Sequence, residues 1–172
     1  MPQYYFFNKP YGVLSQFSPE GNKKTLSEYF PGIAKNIYPA GRLDHDSEGL
    51  LLLTDDKSLT HTLLDPSFGH PRSYWVQVEG MITHEAIQQL CDGVNISIDG
   101  RQYHTKKAIA KILTNAPAVI ERTPPIRQRK NIPVSWISLT LTEGKNTIAV
   151  TSLRGGISST KNVTVYFTEE TI

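Results

Sequence analysis

Residues 38–56 read YPAGRLDHDSEGLLLLTDD. Four consecutive leucines, Leu50 to Leu53, stand between Gly49 and the polar Thr54-Asp55-Asp56. An apolar run this short, bounded by turn formers, predicts a buried strand rather than a helix. Asp44 then falls on the loop that enters the strand, two residues after Arg42. If the two side chains meet, the guanidinium keeps the carboxylate ionised at neutral pH. Spacing alone leaves two readings open: a surface ion pair at a strand end, or a nucleophile or base held by a rigid element.

Outward from that stretch the chain alternates strand and helix signals. Residues 4–9, YYFFNK, predict an aromatic strand that Pro10-Tyr11-Gly12 breaks. Thr25-Leu26-Ser27-Glu28 has the form of a capping box opening a short helix, ended by Pro31-Gly32. Asp56 is placed to cap a helix running to Leu64, with Leu59, Leu63 and Leu64 on one face and Pro66 beyond its end. Residues 73–79 alternate as a strand does, Tyr74, Val76 and Val78 on one face and Trp75, Gln77 and Glu79 on the other. Thr83 caps a second helix that turns Ala86, Ile87 and Leu90 inward, and Gly93 stops it. Asp99-Gly100 predicts a hairpin between strands over 94–98 and 103–113. Further strands are expected over 134–141, 147–150 and 163–167.

With 172 residues, 38% of them hydrophobic, the chain suits one domain that needs no covalent staples. A formal charge of +2 is too mild to announce a nucleic-acid binder by itself. The single Cys91 excludes an internal disulfide and a cysteine zinc cluster, and it reads as a small hydrophobe. The N-terminus lacks a cationic start followed by an apolar run, and no segment approaches the roughly 20 apolar residues of a membrane helix. The expectation is a cytoplasmic monomer without a membrane association. Asp46, Glu48, Asp55, Asp56 and His45 do not read as a metal site, because they lie on both sides of a strand and no His pair has ligand spacing.

Charge does concentrate in one place. Arg122, Arg127, Arg129 and Lys130 put four of the 18 basic residues into nine positions, interrupted by Pro124-Pro125. Such a segment belongs on the surface, either as an ordinary solvated loop or as a clamp on RNA phosphates.

GRLDHDSEGLLLLTDD closely resembles the signature of the pseudouridine synthases that modify bacterial ribosomal RNA, in the branch of the small-subunit enzyme. Asn8-Lys9-Pro10 resembles the end of that family's first strand, and the run from Arg72 to Gly80 resembles its strand beginning with Tyr before Val-x-Val-x-Gly. Pro124-Pro125-Ile126-Arg127, Asn131-Ile132-Pro133 and Ser135-Trp136 are similar to an insert in the subgroup that acts on the large subunit. The resemblance implies an α+β fold, a mixed and largely antiparallel sheet with short helices, forming one catalytic domain over 1–172. Many members of that family carry a small RNA-binding module ahead of the first strand, and the expectation is that this chain has none.

It also implies a chemistry. Uridine becomes pseudouridine when the bond from sugar to N1 breaks, the base turns, and the sugar rejoins at C5; a stacked base must first be flipped out. One carboxylate suffices, as nucleophile or as base toward the sugar, because the detached base does not leave; a glycosidase needs a second carboxyl for its leaving group. By resemblance Asp44 is that group, Arg42 fills the space of the flipped base or contacts backbone, and Tyr74 stacks on the uracil. By spacing alone Tyr74 reads as a core tyrosine. The resemblance further implies large-subunit ribosomal RNA as the partner and a chemistry that requires no metal or redox cofactor.

Beyond Glu143-Gly144-Lys145-Asn146 the resemblance stops. The family continues with a basic helix start whose Arg or Lys pairs with the catalytic carboxylate, whereas this chain continues Thr147-Ile148-Ala149-Val150. Residues 147–172 therefore depart from the family. A catalytically impaired RNA-binding relative is the alternative, and an unrelated hydrolase built on the acidic loop is a third.

Overall fold

The computed structural model describes residues 1–98, 100–119, 123, 131–141, 151–154, 157–160 and 165–168. Strand β1 (Tyr4–Lys9) is followed by two short strands, β2 (Val13–Leu14) and β3 (Lys24–Thr25), which pair in parallel. Next come β4 (Tyr38–Pro39), β5 (Glu48–Thr54), helix α1 (Lys57–Leu64), β6 (Arg72–Glu79) and helix α2 (His84–Asp92). Strands β7 (Asn95–Ile98), β8 (Arg101–His104), β9 (Ile109–Leu113) and β10 (Val134–Leu141) follow, then β11 (Thr151–Arg154), β12 (Ile157–Thr160) and β13 (Val165–Thr168).

Among the described residues the main sheet runs in the order β1-β5-β13-β6-β10-β9, with β4 against β5. Its pairs are antiparallel except β13 on β5, so the sheet is mixed and largely antiparallel, and the class is α+β. Residues 142–150, which include the expected strand over 147–150, lie outside the described residues.

The leucine run is a strand, as its length predicts, but it is longer, starting at Glu48. Its alternation splits the leucines between two faces. Leu51 and Leu53 are buried with Val13, Leu26 and Ile37, and Phe7, Phe30 and Leu43 pack around them. Each such buried aliphatic side chain contributes roughly 1.5–3 kcal/mol. Thr54 closes the strand, its hydroxyl donating to Gln3 O at 2.7 Å and accepting from Asp56 N at 3.0 Å. A second apolar cluster joins Tyr74, Val76, Ile137 and Leu139 of β6 and β10, covered by Ile87 and Leu90 of α2.

Both predicted helix caps form. Asp56 accepts from Leu59 N at 2.9 Å, and Thr83 from Ala86 N at 3.2 Å. The capping box does not. Thr25 makes no cap bond, its hydroxyl meeting Ser27 Oγ at 2.7 Å, and only a 3-10 turn, Leu26–Glu28, follows. Burial of Leu26 and Thr25 in the core decides that segment ahead of helix propensity. The strand expected over 103–113 is two strands, because Thr105 N turns back to donate to Val94 O at 2.9 Å and Ala108 N donates to Cys91 O at 3.1 Å. The first of these bonds closes the β7–β8 hairpin, which the turn signal does predict; the second ties the next residues to α2.

Gly93 ends α2 at φ +103, where a Cβ would run into the Thr105 carbonyl and come within 2.9 Å of His104 Nε2. Gly80 has a similar φ of +96 but open space around it. Gly80→Ala therefore carries only backbone strain, roughly 1–3 kcal/mol. Gly93→Ala adds a clash with backbone, and denaturant unfolding should rank it clearly below Gly80→Ala.

Lys9, the last residue of β1, is fully buried. Its ammonium donates to Val13 O at 2.8 Å and Pro10 O at 3.1 Å. Burial lowers its pKa from 10.5 to about 8, while the Glu48, Asp44 and Asp46 carboxylates pull in the other direction. Below pH 8 the group is charged in both folded and unfolded chains and its burial costs stability. Between about pH 8 and 10.5 the folded state releases the proton first, so stability rises with pH. Urea unfolding should show wild type gaining roughly 2 kcal/mol on Lys9→Met from pH 7 to pH 10. A pH-independent difference would contradict this.

Candidate active site

The loop from Gly41 to Ser47 enters β5 and carries the central acidic residue. Asp44 is exposed. The Ser15 hydroxyl donates to Leu43 O at 2.8 Å and accepts from Leu43 N at 3.0 Å. Gly12 N donates to His45 O at 2.9 Å, and Ser47 N to Asp44 O at 3.0 Å. The backbone around Asp44 is thus bound on both sides, chiefly by the segment that follows β1. Leu43 adds an apolar anchor against the first core cluster.

Arg42 and Asp44 do not form the surface ion pair that their spacing allows. The Arg42 guanidinium is exposed and donates to Gln16 Oε1 at 3.3 Å, while no ion pair to Asp44 occurs among the described residues. His45 turns to Asp46, its Nδ1 2.9 Å from Oδ1. Lys9 lies close enough to Asp44 for the two charges to attract.

A cavity of about 910 Å³ opens beside this loop. Gly41, Arg42, Leu43, Arg72 and Tyr74 are among its lining residues, and Lys111 adds a further cation. Arg42 and Tyr74 are therefore brought to one cleft although they stand 32 positions apart in the chain. Asp44 is not among the lining residues; it occupies the loop that flanks the cleft. Tyr74 is 7% exposed and belongs to the second core cluster, so it is a core residue as well as part of the cleft wall. The strand β6 positions it, through its register with Leu139 of β10 and Phe167 of β13.

Arg122, Arg127, Arg129 and Lys130 lie outside the described residues. Two positions that sequence reasoning passed over matter to the geometry: Ser15 and the buried Lys9. Lys9 was visible as part of Asn8-Lys9-Pro10, but nothing in a sequence signals that an ammonium is fully buried. Ser15 sits 28 residues from the carbonyl it binds, and only the β1–β5 pairing makes them neighbours.

Comparison with known proteins agrees in every direction. The profile of the family described as RNA pseudouridylate synthase matches residues 3–148. The ribosomal large subunit pseudouridine synthase E of Xanthomonas axonopodis pv. citri (strain 306) is 51% identical over 141 residues, 81% of this chain and 71% of that protein. The protein of the same name from Vibrio parahaemolyticus serotype O3:K6 is 44% identical over 140 residues, 81% of this chain and 56% of its own. A solved structure titled "Crystal structure of pseudouridylate synthase" superposes with a TM-score of 0.63 at 26% identity, over 85% of this chain and 54% of that one. This chain spans between about half and seven-tenths of these relatives. Its loop, cleft and sheet are those of a protein that belongs to the RNA pseudouridylate synthase family.

Proposed function

We propose that this chain isomerises one specific uridine of large-subunit ribosomal RNA to pseudouridine, with Asp44 as the reacting carboxylate. The observation that carries this reading is an exposed carboxylate on a loop whose backbone is hydrogen-bonded on both sides of it, flanking a cleft that holds Arg42 and Tyr74 together. The 51% identity to a synthase named for the large subunit supports the choice of RNA.

In this reading the target uridine is flipped into the cleft. Asp44 either attacks the sugar or takes a proton from it, and the N1–sugar bond breaks. The uracil stays in the cleft against the Tyr74 ring, turns, and bonds through C5 to the sugar carbon as Asp44 leaves that carbon or returns the proton it took. The C5 hydrogen then departs as a proton and N1 gains one, so the product is an isomer of the substrate. Arg42 holds the duplex open by occupying the vacated position or by contacting the backbone. Arg122, Arg127, Arg129 and Lys130 bind phosphates and carry the salt-dependent part of the affinity. Ribosomal RNA as substrate puts the enzyme in the cytoplasm, where it works as a monomer.

Two measurements test this. Carbodiimide-blocked primer extension on unmodified large-subunit ribosomal RNA should give one new stop with the wild-type chain and none with Asp44→Asn, while RNA affinity stays nearly unchanged. Turnover by Asp44→Asn would remove the carboxylate from the mechanism; a silent wild type that still binds RNA would favour a relative that lost its chemistry after Asn146. Replacing Arg127, Arg129 and Lys130 by Ala should reduce the slope of log affinity against log salt by roughly 0.7–0.9 for each phosphate that is no longer neutralised. An unchanged slope would make the segment an ordinary solvated loop.

A further inference from the structure

We propose that Ser15 is a positioning residue for the reaction: by fixing the peptide in front of Asp44, its hydroxyl sets the direction in which the Asp44 side chain leaves the backbone. The proposal rests on the reading of Asp44 as the reacting group.

Each peptide unit is a rigid plane, so the direction of the Asp44 side chain from its Cα is set once the planes before and after that Cα are set. The plane before it carries Leu43 O, which accepts from Ser15 Oγ at 2.8 Å. The plane after it carries Asp44 O, which accepts from Ser47 N at 3.0 Å. One plane further on, His45 O accepts from Gly12 N at 2.9 Å. Leu43 N donates back to Ser15 Oγ at 3.0 Å, so one hydroxyl serves both backbone groups of the residue preceding Asp44. A hydroxyl has one donor and two acceptor sites, and this geometry uses the donor and one acceptor. What remains free at Asp44 is rotation about its own side-chain bonds.

Of these anchors, Ser15 is the one made by a side chain, and it is 3% exposed. Water has little access to replace it. Removing the hydroxyl leaves the Leu43 N–H and C=O without their partner and frees the plane in front of Asp44 to rotate. The other bonds and the packing of Leu43 against the core remain, so the loop is retained but loosely aimed. A loosely aimed reacting group lowers the rate of the chemical step while the RNA, bound over a much wider surface, keeps its affinity.

The test compares Ser15→Ala, Ser15→Thr and Asp44→Asn with wild type, using unmodified large-subunit ribosomal RNA as substrate. Protein concentrations are normalised to the fraction competent to bind that RNA. Ser15→Ala should lower kcat by roughly 10- to 100-fold with KM changed less than about threefold, and Ser15→Thr, which keeps the oxygen, should recover most of the rate. A purely structural role would reduce the competent fraction and leave the normalised kcat at the wild-type value, and that outcome overturns the proposal. Should Ser15→Ala fail to fold, Ser15→Thr against Ser15→Val decides, because the two are nearly equal in volume and differ in the hydroxyl; equal rates overturn the proposal. Asp44→Asn separates the two readings. If it is inactive while Ser15→Ala is fully active, only the role of Ser15 falls; if it retains turnover, the reading of Asp44 falls first.

Discussion

The antiparallel pairing of β1 with β5, in which Lys9 lies opposite Gly49, is the constraint that shapes the site. Two antiparallel neighbours necessarily bring the segment leaving one strand to the same end as the segment entering the other. The segment after β1 therefore meets the loop before β5, and the bonds joining Gly12, Ser15 and Gln16 to residues 42–45 follow. The leucine strand supplies the stability that holds this register, since a slip of one residue would exchange Leu51 and Leu53 in the core for Leu50 and Leu52. Burial on one face of a strand is in this way converted into accuracy at its end.

The same strand end concentrates charge. Glu48 and Lys9 are both buried, and Asp44 and Asp46 stand on the loop close by. Taking an ammonium out of water is costly, and the depressed pKa of Lys9 records that cost as only partly offset by the carboxylates. Its two hydrogen bonds to Pro10 and Val13 carbonyls tie down the turn from β1 into β2, which carries Gly12 and leads through β2 to Ser15. Lys9 thus stiffens the cradle of the loop from the core side while contributing positive potential near Asp44.

The elements with a strong local signal were legible from the residues alone. The leucine run between turn formers, the alternation of Tyr74, Val76 and Val78, and the caps at Asp56 and Thr83 all specify their structure through neighbours in the chain, and each appears where expected. Failures came where a distant contact outweighed a local preference. The Thr25 segment is a 3-10 turn because Leu26 is drawn fully into the core, and the strand expected over 103–113 is broken by bonds to Val94 and Cys91.

Residues contiguous in the chain were enough to specify the family, the fold class and the identity of the acidic loop, because one uninterrupted motif carries all three. How that loop is held emerges only when the strands come together. Arg42 turns to Gln16 rather than to Asp44, Tyr74 joins it at one cleft across 32 positions, and Ser15 binds a backbone 28 residues away. The physical reason is that hydrogen bonds and cleft walls depend on which strands become neighbours, and strand order is an outcome of burying two separate apolar clusters at once rather than a property of any single stretch.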